Sequence, residues 1–114
     1  MGRKDPKLER LIDSIAEQDC DTEEEVAMGL GYAIHEKVRF PLDGKVIGER
    51  VTVLGVEEGA SGSDVMALCE RKGRMYRVRL QEIELPKTFS GRQWIEAYKQ
   101  FRSRDGEPKT GLIR

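Results

Sequence analysis

The sequence predicts an α+β fold: an N-terminal helical hairpin, a small SH3-like five-stranded antiparallel barrel and a C-terminal helix. Three observations carry this prediction. Apolar residues recur at helical spacing over the first third of the chain. The middle third switches to short, Val-rich runs broken by glycine turns. A last apolar stripe at helical spacing closes the pattern. The 114 residues, 38% of them hydrophobic, suffice for one small core, so 1–106 is read as a single domain. Five short strands between residues 45 and 85 fit a small barrel better than a sandwich, which needs more of them.

Asp5-Pro6 places a capping carboxylate ahead of proline at the first helical position. Leu8, Leu11, Ile12 and Ile15 follow, which predicts a helix over 6–18. Gln18-Asp19-Cys20-Asp21 is the turn. Thr22 with Glu25 three residues on is a capping box that opens the second helix. Val26, Leu30, Ala33 and Ile34 form its apolar stripe, and Gly29 and Gly31 weaken it by up to ~1 kcal/mol each. This helix should end near Lys37, because Phe40 precedes Pro41 and a residue before proline avoids helical geometry.

Lys45–Ile47 and Glu49–Glu57 read as the first two strands, and 58–63 as a loop. Asp64–Arg71 and Arg74–Leu80 flank Lys72-Gly73, a tight hairpin turn. Tyr76, Val78 and Leu80 alternate with Arg77 and Arg79, the pattern of a half-buried strand. Ile83 and Leu85 supply the fifth strand, closed by Pro86. Ser90 can cap a final helix carrying Trp94, Ile95, Tyr98 and Phe101, ending near Asp105-Gly106. Residues 107–114 lack periodicity and are expected to form a mobile tail.

Composition removes several function classes. No apolar run approaches the ~20 residues of a membrane span, and none near the start resembles a signal peptide. Cys20 and Cys69, without a CxxC, fit free thiols in a cytoplasmic protein. With His35 they total three zinc-type ligands where a structural site needs about four. Nothing brings His35 to either thiol as a nucleophile pair, and no glycine loop has the form of a phosphate cradle. No catalytic residues are expected, and a monomer is.

The net charge of −1 hides an asymmetry. Residues 1–60 hold 8 Lys/Arg against 14 Asp/Glu, and residues 61–114 hold 12 against 7. Between Arg10 and Lys37 there is no basic residue and there are eight acids. Such patterning bears on partners more than on fold.

The stretch from Asp19 to Leu42 reads D-C-D-T-E-E-E-V-A-M-G-L-G-Y-A-I-H-E-K-V-R-F-P-L. It resembles the small bacterial calcium-binding protein family best known from cyanobacteria. The matching positions are Asp19, Glu23-Glu24-Glu25, Gly29, Tyr32, Glu36, Arg39 and Phe40-Pro41. The likeness continues more loosely through Val78-Arg79-Leu80 to the helix bearing Trp94. It implies a calcium-binding protein, buffer or sensor, that is not an enzyme.

Calcium takes six to eight oxygen ligands at about 2.3–2.6 Å. The segment is not an EF-hand. With Asp19 at position one, Glu24 falls where glycine is needed and Leu30 where a bidentate glutamate is needed. Glu25 and Glu36 share nearly one helix face but stand ~16 Å apart along it, too far for one ion. Two clusters are therefore considered: the elbow, Asp19, Asp21, Glu23, Glu24 and Glu25; and the end of the second helix, Glu36 with the carbonyls of 36–40 and Asp43. Acids in a helix's first turn are stabilised by its positive end by about 0.3–1 kcal/mol each without any metal. That alone accounts for Glu23–Glu25, and Glu36 alone reads as a solvated acid that the resemblance promotes.

The rival reading is an SH3-like interaction module. Arg71, Lys72, Arg74, Arg77 and Arg79 lie on one hairpin and would suit nucleic acid phosphates or an acidic protein. Charge on an exposed strand also protects against aggregation.

Overall fold

Asp5 and Pro6 start the first helix, α1 (Pro6–Ala16), as expected; the Asp5 carboxylate accepts the Lys7 N–H at 2.9 Å. The computed structural model describes residues 5–18, 20, 22–59 and 64–110, with side chains as far as Ser103. The second helix, α2 (Glu23–Lys37), opens on the capping box. Thr22 Oγ1 accepts the Glu25 N–H at 3.2 Å, and Glu25 Oε1 accepts the Thr22 N–H at 3.3 Å. The helix ends at Lys37, and a cis Phe40-Pro41 bond leads into the sheet.

Four antiparallel strands follow in the order β1 (Leu42–Val46), β2 (Glu49–Glu58), β3 (Val65–Arg71) and β4 (Arg74–Arg79). β1 begins three residues before its predicted start and ends one residue early, because Ile47 belongs to a turn. Both Ile47-Gly48 and Lys72-Gly73 have positive φ at their two residues, the geometry that matches strand twist in two-residue hairpins. Lys72-Gly73 was legible as such a turn; Ile47-Gly48 reads as strand because isoleucine is β-branched. Leu54 is an extra residue in β2: Val53 pairs with Cys69 and Gly55 with Leu68. The bulge lets Val53 and Val56, three apart, both reach the core.

The expected five-stranded barrel is corrected to an open four-stranded sheet. Ile83–Leu85 contributes one bridge, Glu84 with Lys45, through two hydrogen bonds of 2.9 Å. Bonded residues recur every second position in an antiparallel ladder. The neighbouring positions are Glu82, held in the 3-10 turn Leu80–Glu82, and Pro86, which has no N–H. The ladder therefore cannot extend, and the barrel does not close.

Ile47 carries a strain that can be removed. Its φ is +50° and its side chain is 95% exposed, so a β-branched residue holds a left-handed conformation with nothing gained from burial. Ile47→Asn is expected to raise stability by about 0.5–1 kcal/mol, read as a higher denaturation midpoint at unchanged slope.

The third helix, α3 (Arg92–Thr110), follows Gly91 rather than a Ser90 cap. It runs past the expected stop at Asp105-Gly106 to Thr110, and residues 111–114 lie outside the described set. A glycine weakens a helix by ~1 kcal/mol without obliging it to end. α2 lies against β2 and β3, and α1 and α3 pack on α2 and on each other. Leu30, Ile34, Val53, Val65, Leu80, Ile83, Ile95 and Tyr98 are buried at the centre.

The two α2 glycines have packing roles that propensity does not reveal. A Cβ on Gly29 would stand 2.5 Å from Ile15 Cγ2, and one on Gly31 would stand 2.9 Å from Val65 Cγ2. Gly29 lets α1 approach, and Gly31 lets the sheet approach. Polar groups bind the far ends of the chain together. Gln100 Oε1 accepts the Asp5 N–H at 2.9 Å, and its Nε2 donates to Glu9 Oε2 at 2.7 Å. Lys99 Nζ donates to the Ile83 carbonyl at 2.7 Å, and burial lowers its pKa.

Candidate functional site: the elbow between α1 and α2

The capping box places Glu23, Glu24 and Glu25 in the first turn of α2, all exposed. Glu25 turns back to the Thr22 N–H. Glu23 and Glu24 have no hydrogen-bond or ion-pair partner among the described residues, so their oxygens are available to a ligand. Glu24 and Glu25, but not Glu23, line a cleft of about 440 Å³ together with Ile15, Gln18, Cys20, Met28, Gly29 and Tyr32. The lining combines apolar side chains with two carboxylates. The Cys20 thiol donates to the Ile15 carbonyl at 3.4 Å.

Asp19 and Asp21 lie outside the described residues. Among those described, no three His, Cys, Asp or Glu side chains converge as a metal cage. The structure thus groups Glu23, Glu24 and Glu25 at one helix end and does not bring Glu36 to them. Glu36 is exposed at the other end of α2, ~16 Å along the axis from Glu25. That end is occupied by other contacts. The Lys37 carbonyl faces Gly91, whose Cβ would fall 2.4 Å from it, and Lys37 Nζ sits 5.9 Å from the Trp94 ring centroid. Asp43 lines a separate charged cleft with Lys45, Arg50, Glu70 and Glu84. Gln18 and Tyr32 were not singled out as cleft residues. Gln18 gave a weak signal as a side-chain oxygen in the turn, and Tyr32 as an aromatic outside the apolar stripe.

The basic hairpin is partly neutralised. Arg71 pairs with Glu49 and Arg77 with Glu57, both across from β2. His35 is exposed while Cys69 is fully buried, and burial raises the Cys69 thiol pKa, which keeps it unreactive. These two do not form a nucleophile pair.

No protein-family model matches the chain, and no curated protein does. Solved structures do. The crystal structure of Anabaena CcbP matches with a TM-score of 0.76 at 22% identity, over 90% of this chain and 94% of that one. This chain shares the fold of Anabaena CcbP. A structure described as a calcium-binding protein in the calcium-binding form matches with a TM-score of 0.65 at 23% identity, over 90% of this chain and 93% of its own. At 22% identity the CcbP likeness speaks to the fold alone. No described helix is long and apolar enough to cross a membrane.

Proposed function

We propose that the chain is a calcium-binding protein, a buffer or sensor without catalytic activity, and that its elbow is the principal site. The observation that carries this reading is the pair of carboxylates in the first turn of α2, Glu23 and Glu24, unpartnered among the described residues, with Glu24 lining an open cleft, in a segment with no Lys or Arg from 11 to 36. Hard carboxylate oxygens are the donors calcium prefers. The fold shared with CcbP, and with a second structure described as calcium-binding, supports it.

Glu23, Glu24, Asp19 and Asp21 supply charge in this reading, and Gln18 can add a neutral oxygen. Glu25 has a divided role, because its carboxylate also completes the helix cap. The positive end of α2, equivalent to about half a charge, opposes a cation here, so several carboxylates are needed to outweigh it. Glu36 is a separate, weaker site in the same proposal, since Asp43 lines a different cleft and the Lys37 carbonyl lies against Gly91.

The test is calorimetric titration of calcium with amide shifts followed in parallel. Glu23→Gln/Glu24→Gln is expected to weaken the main binding event at least 10-fold. Glu25→Gln also lowers affinity while keeping the capping box, which accepts glutamine at that position. Glu36→Gln leaves the main event intact. Calcium is also expected to raise the melting temperature, since a ligand that prefers the native state stabilises it. Shifts confined to 18–36 mark a buffer; shifts spreading into the sheet mark a sensor. No heat and no shifts at millimolar calcium, or unchanged affinity in the double variant, overturns the proposal.

A further inference from the structure

We propose that the free edge of β4 is a docking strand for an extended peptide in which acidic and apolar residues alternate. The inference begins with hydrogen-bond phase. Lys72-Gly73 is a two-residue turn, so Arg71 and Arg74 form the first bonded pair of the hairpin. Bonding then alternates, and the pairs Cys69–Tyr76 and Ala67–Val78 are also of the bonded kind. Met75, Arg77 and Arg79 accordingly point their N–H and C=O groups away from β3. β4 pairs with β3 alone, and among the described residues the Met75 and Arg77 groups and the Arg79 N–H have no partner, while the Arg79 carbonyl caps the 3-10 turn Leu80–Glu82. The opposite edge of the sheet is different, because Glu84 bonds to Lys45 there. The sheet thus has one capped edge and one open one.

Side-chain placement specifies the guest. Met75, Arg77 and Arg79 share the outer face of the strand, and all three are exposed. Tyr76 and Val78 share the inner face with Cys69 and Ala67, and Tyr76 is 45% exposed at the margin. A strand added at this edge sets its alternate residues beside the arginines and the others beside Tyr76 and Val78. Carboxylates suit the first set and apolar groups the second. Of the two arginines, Arg77 alone has an acid among the described residues, Glu57. A second copy of this chain is a poorer match than an acidic strand in two of its registers. Twofold pairing centred on Arg77 or Arg79 sets arginine directly opposite itself, which is destabilising. Those two registers are disfavoured for self-pairing, whereas an acidic strand meets the arginines with opposite charge.

The experiment uses the full chain and a capped hexapeptide alternating glutamate and valine, followed by amide shifts and hydrogen exchange. Controls are the same composition with the glutamates in one block, the alternating peptide N-methylated at every second residue, and a duplex oligonucleotide. Saturable binding of the alternating peptide is expected, with new protection at the Met75, Arg77 and Arg79 amides. N-methylation and Arg79→Glu are each expected to weaken it at least 10-fold, in the presence or absence of calcium. Equal binding of the blocked or N-methylated peptide shows charge attraction alone and overturns the proposal. So does the absence of β4 shifts at millimolar peptide, or saturation of the same amides by the oligonucleotide in preference to the peptide.

Discussion

Gly91→Ala is expected to destabilise the protein by about 2–4 kcal/mol and to lower its melting temperature by on the order of 10 °C. Two costs combine at this position. Its φ of +84° is one that an L-residue rarely adopts. The new Cβ would also lie 2.4 Å from the Lys37 carbonyl oxygen and 2.9 Å from its carbon. Both obstacles are backbone at the end of α2, which cannot rotate aside. Gly48 and Gly73 separate the two costs. Each has a φ of +77° with nothing within 4 Å of a built Cβ. Alanine at either should lose only the conformational part, about 1 kcal/mol. Equal losses at all three positions would show that contact with Lys37 contributes nothing.

Tyr98 supplies the second large effect. It is fully buried, and its hydroxyl accepts the Val65 N–H at 2.8 Å just where β3 begins. Tyr98→Ala removes the ring and is expected to cost about 3–5 kcal/mol. Tyr98→Phe keeps the ring but strands a buried N–H, which costs about 1–3 kcal/mol. Burial pushes the phenol pKa up in the folded state. Above the ordinary phenol value near 10, the unfolded chain loses this proton first, so stability falls as pH rises. Lys99 acts in the opposite sense at lower pH. Its pKa is depressed by burial, so stability rises with pH between its folded value and about 10.5. The Tyr98 effect is isolated above that range. Chemical denaturation of the wild type from pH 10.5 upward should show declining stability, and Tyr98→Phe should flatten the decline.

Local chemistry was legible in the sequence wherever it was self-contained. Asp5-Pro6, the Thr22–Glu25 box and the Lys72-Gly73 turn each act within four residues, and each stands where it was expected. What escaped depends on partners distant in the chain. Gly29 and Gly31 read as weaknesses because Ile15 and Val65 are not their neighbours in sequence. The fifth strand failed because closure depends on consecutive bonded positions beside β1, and periodicity counts side chains rather than donors. Ile47 misled because its residue type and its backbone disagree. At the candidate site, helix periodicity correctly separated Glu25 from Glu36, and the cap fixed where Glu23–Glu25 begin. The engagement of Arg71 and Arg77 with Glu49 and Glu57 needed the strand register.

The seating of Ile15 against Gly29 sets how far the hairpin can respond to a ligand. With no atom of slack at that crossing, the two helices cannot scissor without breaking the contact. If calcium binds at the elbow as proposed, it meets a frame already built, and binding needs side chains to turn rather than helices to swing. Such a receptor spends little of its affinity on rearrangement, and loses its shape if a methyl group is wedged into the hinge.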